Sequence, residues 1–483
     1  LELFIKNIGE RDFVCQALIL PVTEGDAGLY DELSRSIPVI KKVLSGDFSG
    51  EKNEMFFVPY VEGMKPAGIL FAGLGKKDKV SSESLRQAGG KAVRFLRDKG
   101  IKNAGLSTEI ISDLNLSPID FAEGALLGLY DYSKYKKDKN KGKTFEALTV
   151  LSKPSDKFRR ELEWTRTLAS AVAFARDLVN APANDMTPTL LTKAALSLKK
   201  KNLVVKVLER KDAQRLGMGS YLSVAKGSHE PPKFIVLEYK GGKGNPLVLI
   251  GKSITFDSGG ISLKPSDGME KMKYDMAGGA AVLGVMKAVS EAGLPVPVVG
   301  ILPATENLPG GSASKPGDVV RSIDGKTIEI ISTDAEGRMV LADAIGYAKR
   351  YKPRAIIDIA TLTGACLIAL GNEAIAMMGN DRELMNILKG VSEAVYERVW
   401  EMPLFEEYKE YVKSDIADLK NSGGKTGSLV SSAAFLSEFA GDTAWVHLDI
   451  AGTAWAEKER PYVPKGASGI GVRLLSNYVK GLK

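Results

Sequence analysis

Seven consecutive residues, Ser332-Thr333-Asp334-Ala335-Glu336-Gly337-Arg338, set two carboxylates and a guanidinium between an apolar strand-like run and an apolar helix-like run. Upstream, Lys252 and Asp257 lie in a second apolar run, Leu249-Ile250-Gly251-Lys252-Ser253-Ile254-Thr255-Phe256-Asp257, followed by Ser258-Gly259-Gly260, Lys264 and then Asp275. Asp257, Asp275, Asp334 and Glu336 therefore share apolar or glycine-rich surroundings with Lys252, Lys264 and Arg338. Carboxylates gathered in a dry place repel one another strongly and need cations, either basic side chains or metal ions. Two divalent ions would balance four carboxylates. With His229 and His447 the only histidines and Cys15 and Cys366 the only cysteines, such ions would be held mostly by oxygen, with a lysine amine as a further donor.

Taken singly, some of these residues have plainer readings. Lys252 can pair with Asp257 along the strand, and Arg338 can pair with Glu336 at the start of the next helix. Two nucleotide-site look-alikes fall away. Gly251-Lys252-Ser253 resembles the end of a phosphate-binding loop, but the first required glycine falls on Pro246 and the intervening residues read as a strand. Gly73-Leu74-Gly75 begins a dinucleotide fingerprint, but Asp78 stands at the third glycine position.

Further stretches share an order with a known family. They are Asn180-Ala181-Pro182-Ala183-Asn184-Asp185-Met186-Thr187-Pro188, Gly217-Met218-Gly219, Gly227-Ser228-His229-Glu230-Pro231-Pro232, Thr361-Leu362-Thr363-Gly364-Ala365, Gly423-Gly424-Lys425-Thr426-Gly427 and His447-Leu448-Asp449-Ile450-Ala451-Gly452. Together with the Asp334–Arg338 segment they cover roughly the C-terminal two thirds of the chain, and they resemble the leucyl aminopeptidases, the M17 dinuclear metallopeptidases. Ser332 stands where the family has asparagine, Ser253 where it has glycine and Met339 where leucine is common; none of these departures removes a ligand or a charge.

The resemblance implies that Lys252, Asp257, Asp275 and Glu336 hold one ion and that Asp257, Asp334 and Glu336 hold the other, with the Asp334 carbonyl assisting. The ions expected are Mn²⁺ or Zn²⁺, with Co²⁺ and Mg²⁺ as alternatives. A ligating Lys252 must be neutral, so a strongly depressed pKa is expected for it. By the same resemblance Lys264 stays charged and meets the substrate carbonyl oxygen, while Arg338 binds a bicarbonate ion acting as general base. Met272, Thr361, Thr363 and Gly364 are expected near an apolar substrate pocket, whereas His447 is expected to make a structural hydrogen bond. The implied activity is removal of N-terminal residues, leucine and other apolar ones first, from peptides with a free amino group, by a homohexamer.

Composition sets the frame. At 483 residues with 44% hydrophobic and 26% charged residues, the chain reads as a globular protein of two domains. Two distant cysteines make no disulfide framework, and the opening Leu1-Glu2-Leu3-Phe4-Ile5-Lys6 has no apolar signal core, so a cytoplasmic setting without membrane association is expected. The apolar stretch 355–370 is interrupted by Asp358 and reads as a buried strand and turn. Net charge of +7 permits nucleic-acid binding without requiring it. Part of the excess lies in the lysine-rich loop 135–143, which lacks the arginines and aromatics of a nucleic-acid reader. A DNA-binding architectural protein and a dinuclear phosphohydrolase are the competing readings, the second weakened by the scarcity of histidine.

Residues 1–154 form a smaller N-terminal α/β domain, macro-like by the resemblance, with strands in 17–21, 68–73 and 145–151 and a helix over 82–96. A helix over 155–180 connects it to a C-terminal α/β catalytic domain, 181–483. There, strands at 234–238, 247–250, 298–302, 356–359 and 445–449 alternate with helices at 277–291, 339–350 and 431–439, which predicts a central mixed sheet flanked by helices. Such sheets bind ligands beyond the carboxyl ends of their strands, where Asp257, Asp334 and Thr361 would lie.

Overall fold

The computed structural model describes residues 1–25, 37–137 and 143–482; positions 138–142 of the lysine-rich loop lie outside the described residues. The chain forms two compact units, Leu1–Ala169 with Lys458–Lys465, and Ser170–Glu457 with Gly466–Lys483. The helix Asp156–Asn180 carries the chain from the first to the second. The linear division expected from sequence differs at the C-terminal end, because 458–465 belongs to the first unit, where the Tyr462 hydroxyl donates to Glu83 at 2.9 Å. That bond spans 379 positions of sequence and leaves no local pattern.

In the first unit, six strands run in the order Glu2–Lys6, Ala147–Leu151, Asn103–Ser107, Ala17–Thr23, Gly68–Gly75 and Met55–Pro59. All neighbours are parallel except the last pair. Ala17–Thr23 and Gly68–Gly75 are buried along their whole length, as their unbroken apolar runs require in a sheet covered on both faces. Helices Ser82–Asp98 and Pro118–Gly128 approach so closely that a Cβ on Gly89 would lie 2.1 Å from the Phe121 carbonyl oxygen, and one on Gly124 would lie 1.9 Å from that of Arg86.

The second unit is built on a nine-stranded mixed sheet. Its centre is the parallel set Trp445–Asp449, Ala355–Ala360, Leu247–Gly251 and Val298–Asn307, which accounts for the expected strands near 445, 356, 247 and 298. The antiparallel strands Lys233–Tyr239 and Leu203–Leu208 extend one side; Ile375–Gly379 and Val399–Glu401 extend the other. Ser253–Asp257 leaves the Leu247–Gly251 line after Lys252 and pairs with the far half of Val298–Asn307, with a register shift between Ile254 and Asp257. Helix Ala277–Ala292 packs beneath this break: a Cβ on Gly278 would lie 2.0 Å from the Ile359 carbonyl oxygen.

Two expected elements differ in extent. The helix expected from 339 begins at Glu336 and runs to Ala348, so Glu336 and Arg338 occupy its first turn. The stretch 355–370 is the strand Ala355–Ala360 followed by the helix Gly364–Leu370, whose first turn is capped by the Thr363 hydroxyl accepting from the Cys366 amide at 3.1 Å. Among the described residues no helix is long and apolar enough to cross a membrane.

Candidate metal centre

Lys252 lies at the break between the strands Leu247–Gly251 and Ser253–Asp257, where it is buried, 2% exposed. Its ammonium lies 2.8 Å from Asp275 Oδ2 and 2.7 Å from Glu336 Oε1, and donates to the Thr361 carbonyl at 2.9 Å. Asp275 reaches this point from the short helical segment Met269–Met276, and Glu336 from the first turn of its helix. A Cβ on Gly337 would lie 2.8 Å from both Cε and Nζ of Lys252, so glycine at 337 makes room for the lysine.

Lys264 arrives on a tight turn. Gly259 and Gly260 both have positive φ, 88° and 67°, a conformation that a residue with a Cβ rarely adopts. Space forbids the Cβ as well, because on Gly259 it would lie 2.4 Å from the Ser262 carbonyl and 2.9 Å from Asp334 Oδ1. The turn delivers the Lys264 ammonium to 2.9 Å from Asp257 Oδ2 and 2.5 Å from Asp334 Oδ1. Asp257, Asp334 and Glu336 each offer an oxygen within 4.8 Å of the others, with Asp334 on the solvent side and the other two buried.

Five residues singled out from sequence as ligands, Lys252, Asp257, Asp275, Asp334 and Glu336, thus converge with Lys264 on one cluster of oxygen and amine donors. Burial and mutual repulsion push the carboxyls of Asp275, Asp334 and Glu336 above the ordinary carboxylate range. For Lys252 burial alone would lower the pKa, but Asp275, Glu336 and Asp257 outweigh it and hold the ammonium form. Lys264 is raised in the same way against burial, by Asp257, Glu336 and Asp334.

The donor set fits hard or borderline divalent ions, being carboxylate oxygens plus one lysine amine. Glu336 Oε2 is buried and has no hydrogen-bond partner among the described residues, a costly state that a cation would relieve.

Arg338 is 6% exposed, and its Nε has no hydrogen-bond partner among the described residues. Burial lowers its pKa to about 10, while Glu336 and Asp449 act in the opposite direction. No carboxylate among the described residues stands within ion-pair distance of it, so the simple Glu336–Arg338 salt bridge left open by sequence does not form.

The expected pocket residues have varied placements. Thr361 donates to Asp275 Oδ1 at 2.6 Å, and Thr363 donates to Asp449 Oδ2 at 2.7 Å, so both hydroxyls hold carboxylates. Met272 is half-buried, and Gly364 is exposed, with nothing within 4 Å of a Cβ placed on it. His447 is fully buried, its Nδ1 2.5 Å from Asp358 Oδ1, while Trp445 Nε1 donates to Asp358 Oδ2 at 2.7 Å.

Three buried polar residues of the neighbourhood escaped sequence reasoning. Asp449 accepts the amides of Leu362 and Ala451, both at 3.1 Å, besides the Thr363 hydroxyl. Asn307 donates to Asp257 Oδ1 at 2.8 Å and to the Thr333 carbonyl at 2.9 Å, and Asn421 bonds the backbone of residues 331–335. For Asn307 the available signal was an amide at a strand's carboxyl end, which is also the commonest place for a turn residue.

Comparison with known proteins agrees over both units. Residues 173–476 match the catalytic domain of the cytosol aminopeptidase family, and residues 27–139 match that family's N-terminal domain. A probable cytosol aminopeptidase of Geotalea uraniireducens strain Rf4 is 49% identical over 90% of each chain, and one of Geobacter sulfurreducens is 47% identical over 97% of each. Among solved structures, a mutant of tomato leucine aminopeptidase superposes with a TM-score of 0.88 at 31% identity, over 99% of this chain and 96% of its own. The bottromycin maturation enzyme BotP in complex with Mn superposes with a TM-score of 0.85 at 32% identity, over 97% and 99%. With catalytic and N-terminal domains both matched in order and the metal-competent cluster inside the matched region, the chain belongs to the cytosol aminopeptidase family, M17, as a metal-binding aminopeptidase.

Proposed function

We propose that the chain is a two-metal exopeptidase releasing N-terminal residues, leucine and other apolar ones first, from peptides with a free amino group. The convergence of Asp257, Asp334 and Glu336 oxygens within 4.8 Å, beside the Lys252–Asp275 pair, carries this reading. On it, Lys252, Asp257, Asp275 and Glu336 hold one ion, and Asp257, Asp334 and Glu336 the other, with the Asp334 carbonyl assisting. When bound, two divalent ions polarise the scissile carbonyl and acidify a water molecule.

The chain's own residues supply the rest. Lys252 would hold its ion through the amine lone pair, its proton passing to solvent as the ion binds, which lysine can do and arginine cannot. Lys264, 23% exposed at its side chain, keeps its proton and donates to the oxygen on which charge develops. Arg338, whose buried Nε has no partner among the described residues, holds a bicarbonate ion as general base toward the attacking water. Asp275 receives the free amino group of the substrate, so a blocked N-terminus is excluded. Met272, Thr361, Thr363 and Gly364 border the side-chain pocket. Mn²⁺ is the first ion to try, given the neighbour named with Mn, followed by Zn²⁺. The family resemblance adds a homohexamer, and the relatives' name adds a cytoplasmic location.

The test is hydrolysis of leucine para-nitroanilide by metal-stripped protein, before and after adding Mn²⁺ or Zn²⁺, beside the Glu336→Ala variant, N-acetyl-leucine para-nitroanilide and a phosphate monoester. Activity restored by metal, absent in the variant and confined to the free-amine substrate is expected. No activity with any ion, equal cleavage of the blocked substrate, or turnover of the phosphate ester alone would overturn the reading.

A further inference from the structure

We infer that Asn307 and Asn421 are positioning residues that together set the spacing of the carboxylate cluster, an inference that rests on the two-metal reading above. Asn307 ends the strand Val298–Asn307 and is 4% exposed. Its carbonyl accepts the Ser258 amide at 3.0 Å and the Ser258 hydroxyl at 2.8 Å, which anchors its backbone beside Asp257. Its side-chain Nδ2 donates to Asp257 Oδ1 at 2.8 Å and to the Thr333 carbonyl at 2.9 Å. One planar amide group thus ties a carboxylate on one strand to the loop bearing Asp334, and the angle between its two N–H bonds fixes their separation. An aspartate at 307 would offer no donor and would set a second anion against Asp257.

Asn421 acts on the other side of the same loop. It follows Leu419–Lys420, which pairs with Thr327–Glu329, and its own amide continues that ladder to the Glu329 carbonyl at 2.9 Å. Beyond this point the ladder stops, and the fully buried side chain takes over the role of a neighbouring peptide. Oδ1 accepts the amides of Ile331 at 2.8 Å and Ser332 at 3.2 Å, while Nδ2 donates to the carbonyls of Ser332 at 2.7 Å and Ala335 at 3.5 Å. Residues 331–335 carry Asp334 directly and lead into Glu336, so both ligands inherit this placement.

A cavity of about 20 Å³, room for one water, lies behind the loop and is lined by Asn307, Thr333, Glu336 and Asn421 among others. The loop has somewhere to relax once a hydrogen bond is lost. Partners that orient metal ligands from behind typically contribute about 10–100-fold in metal affinity.

The experiment is calorimetric titration of Mn²⁺ into metal-stripped full-length protein, wild type beside Asn307→Ala, Asn307→Asp, Asn421→Ala and Asn421→Asp, with thermal unfolding of each metal-free protein. Expected are Mn²⁺ affinities lower by about 10–100-fold in the alanine variants, with kcat at saturating Mn²⁺ reduced more than KM is raised. Asn421→Asp, which keeps the two accepted amides, should fall between wild type and Asn421→Ala. Wild-type Mn²⁺ affinity in variants whose Tm alone has dropped would assign both asparagines to the fold and refute the inference. Should an alanine variant not fold, the comparison within the isosteric aspartate pair decides in the same way. A wild-type protein that binds no Mn²⁺ or Zn²⁺ at all would instead sink the two-metal reading.

Discussion

Gly337→Ala adds one methyl group against the most constrained atom of the site. The new Cβ would lie 2.8 Å from Cε and Nζ of Lys252 and 2.9 Å from Leu362 Cδ1, where ordinary contacts begin near 3.4 Å. About 0.6 Å must therefore be found. The ammonium is the mobile end of a long side chain, but three short contacts hold it, to Asp275, Glu336 and the Thr361 carbonyl, so moving it lengthens bonds to two proposed ligands at once. In the helix Glu336–Ala348 alanine is favoured over glycine by about 1 kcal/mol, against an overpacking cost of about 1–3 kcal/mol. Net stability should change by no more than about 2 kcal/mol, whereas a displacement of this size at a reacting centre costs about 10–100-fold in kcat/KM. The assay is leucine para-nitroanilide hydrolysis with added Mn²⁺, paired with thermal unfolding. Gly390→Ala is the control: it lies in the helix Arg382–Val395 with nothing within 4 Å of its Cβ, and should gain stability with unchanged activity. Gly337→Ala activity within twofold of wild type would refute the reasoning.

Lys264→Met should leave Mn²⁺ binding intact and reduce kcat by about 10²–10³-fold, the usual effect of losing an oxyanion donor; a kcat near that of wild type would remove Lys264 from the chemistry. Asp343 tests the core by pH. Burial pushes its carboxyl up to about 7 even though it accepts the amides of Tyr221 and Ile323 at 2.8 and 2.7 Å. Between about pH 4 and 7 the native state then holds a proton that the unfolded chain releases, so this group's contribution is complete below that window and is lost as pH rises through it, by up to about 4 kcal/mol. Urea unfolding at pH 5 and pH 8 should show wild-type stability falling relative to Asp343→Asn, and parallel profiles would show that Asp343 is ionised throughout.

The cluster was legible to very different degrees. Asp334, Glu336 and Arg338 are contiguous, and two carboxylates beside a guanidinium in apolar sequence are unusual enough to read directly. Lys252 and Asp257 stood out for the same reason, as charges inside a strand-like run. Asn307 and Asn421 carried no such contrast, because an asparagine next to a strand is ordinary turn chemistry until its partners are known. Thr361 and Thr363 were expected at a pocket, but their hydroxyls bind Asp275 and Asp449, partners 86 positions away in both cases. The central strands were visible as apolar runs, while Ile375–Gly379 and Val399–Glu401 were missed, since short strands at a sheet's side carry little periodicity.

The amino-acid order by itself determined the chemistry on offer: oxygen and lysine donors almost without histidine or cysteine, helices and strands by their apolar spacing, and a family resemblance strong enough to name an activity. These are properties of residue type and local period, and they survive without knowledge of the fold. Tertiary structure decided which anion faces which cation, that Lys252 answers Asp275 and Glu336 while Lys264 answers Asp257 and Asp334. It also decided that Arg338 is buried with no ion-pair partner among the described residues, and that glycine is required at 259, 260 and 337. The physical reason is that these distances depend on sheet register, on the break between the strands Leu247–Gly251 and Ser253–Asp257, and on where each crossover returns. Such quantities join positions tens of residues apart, and no local window of sequence contains them.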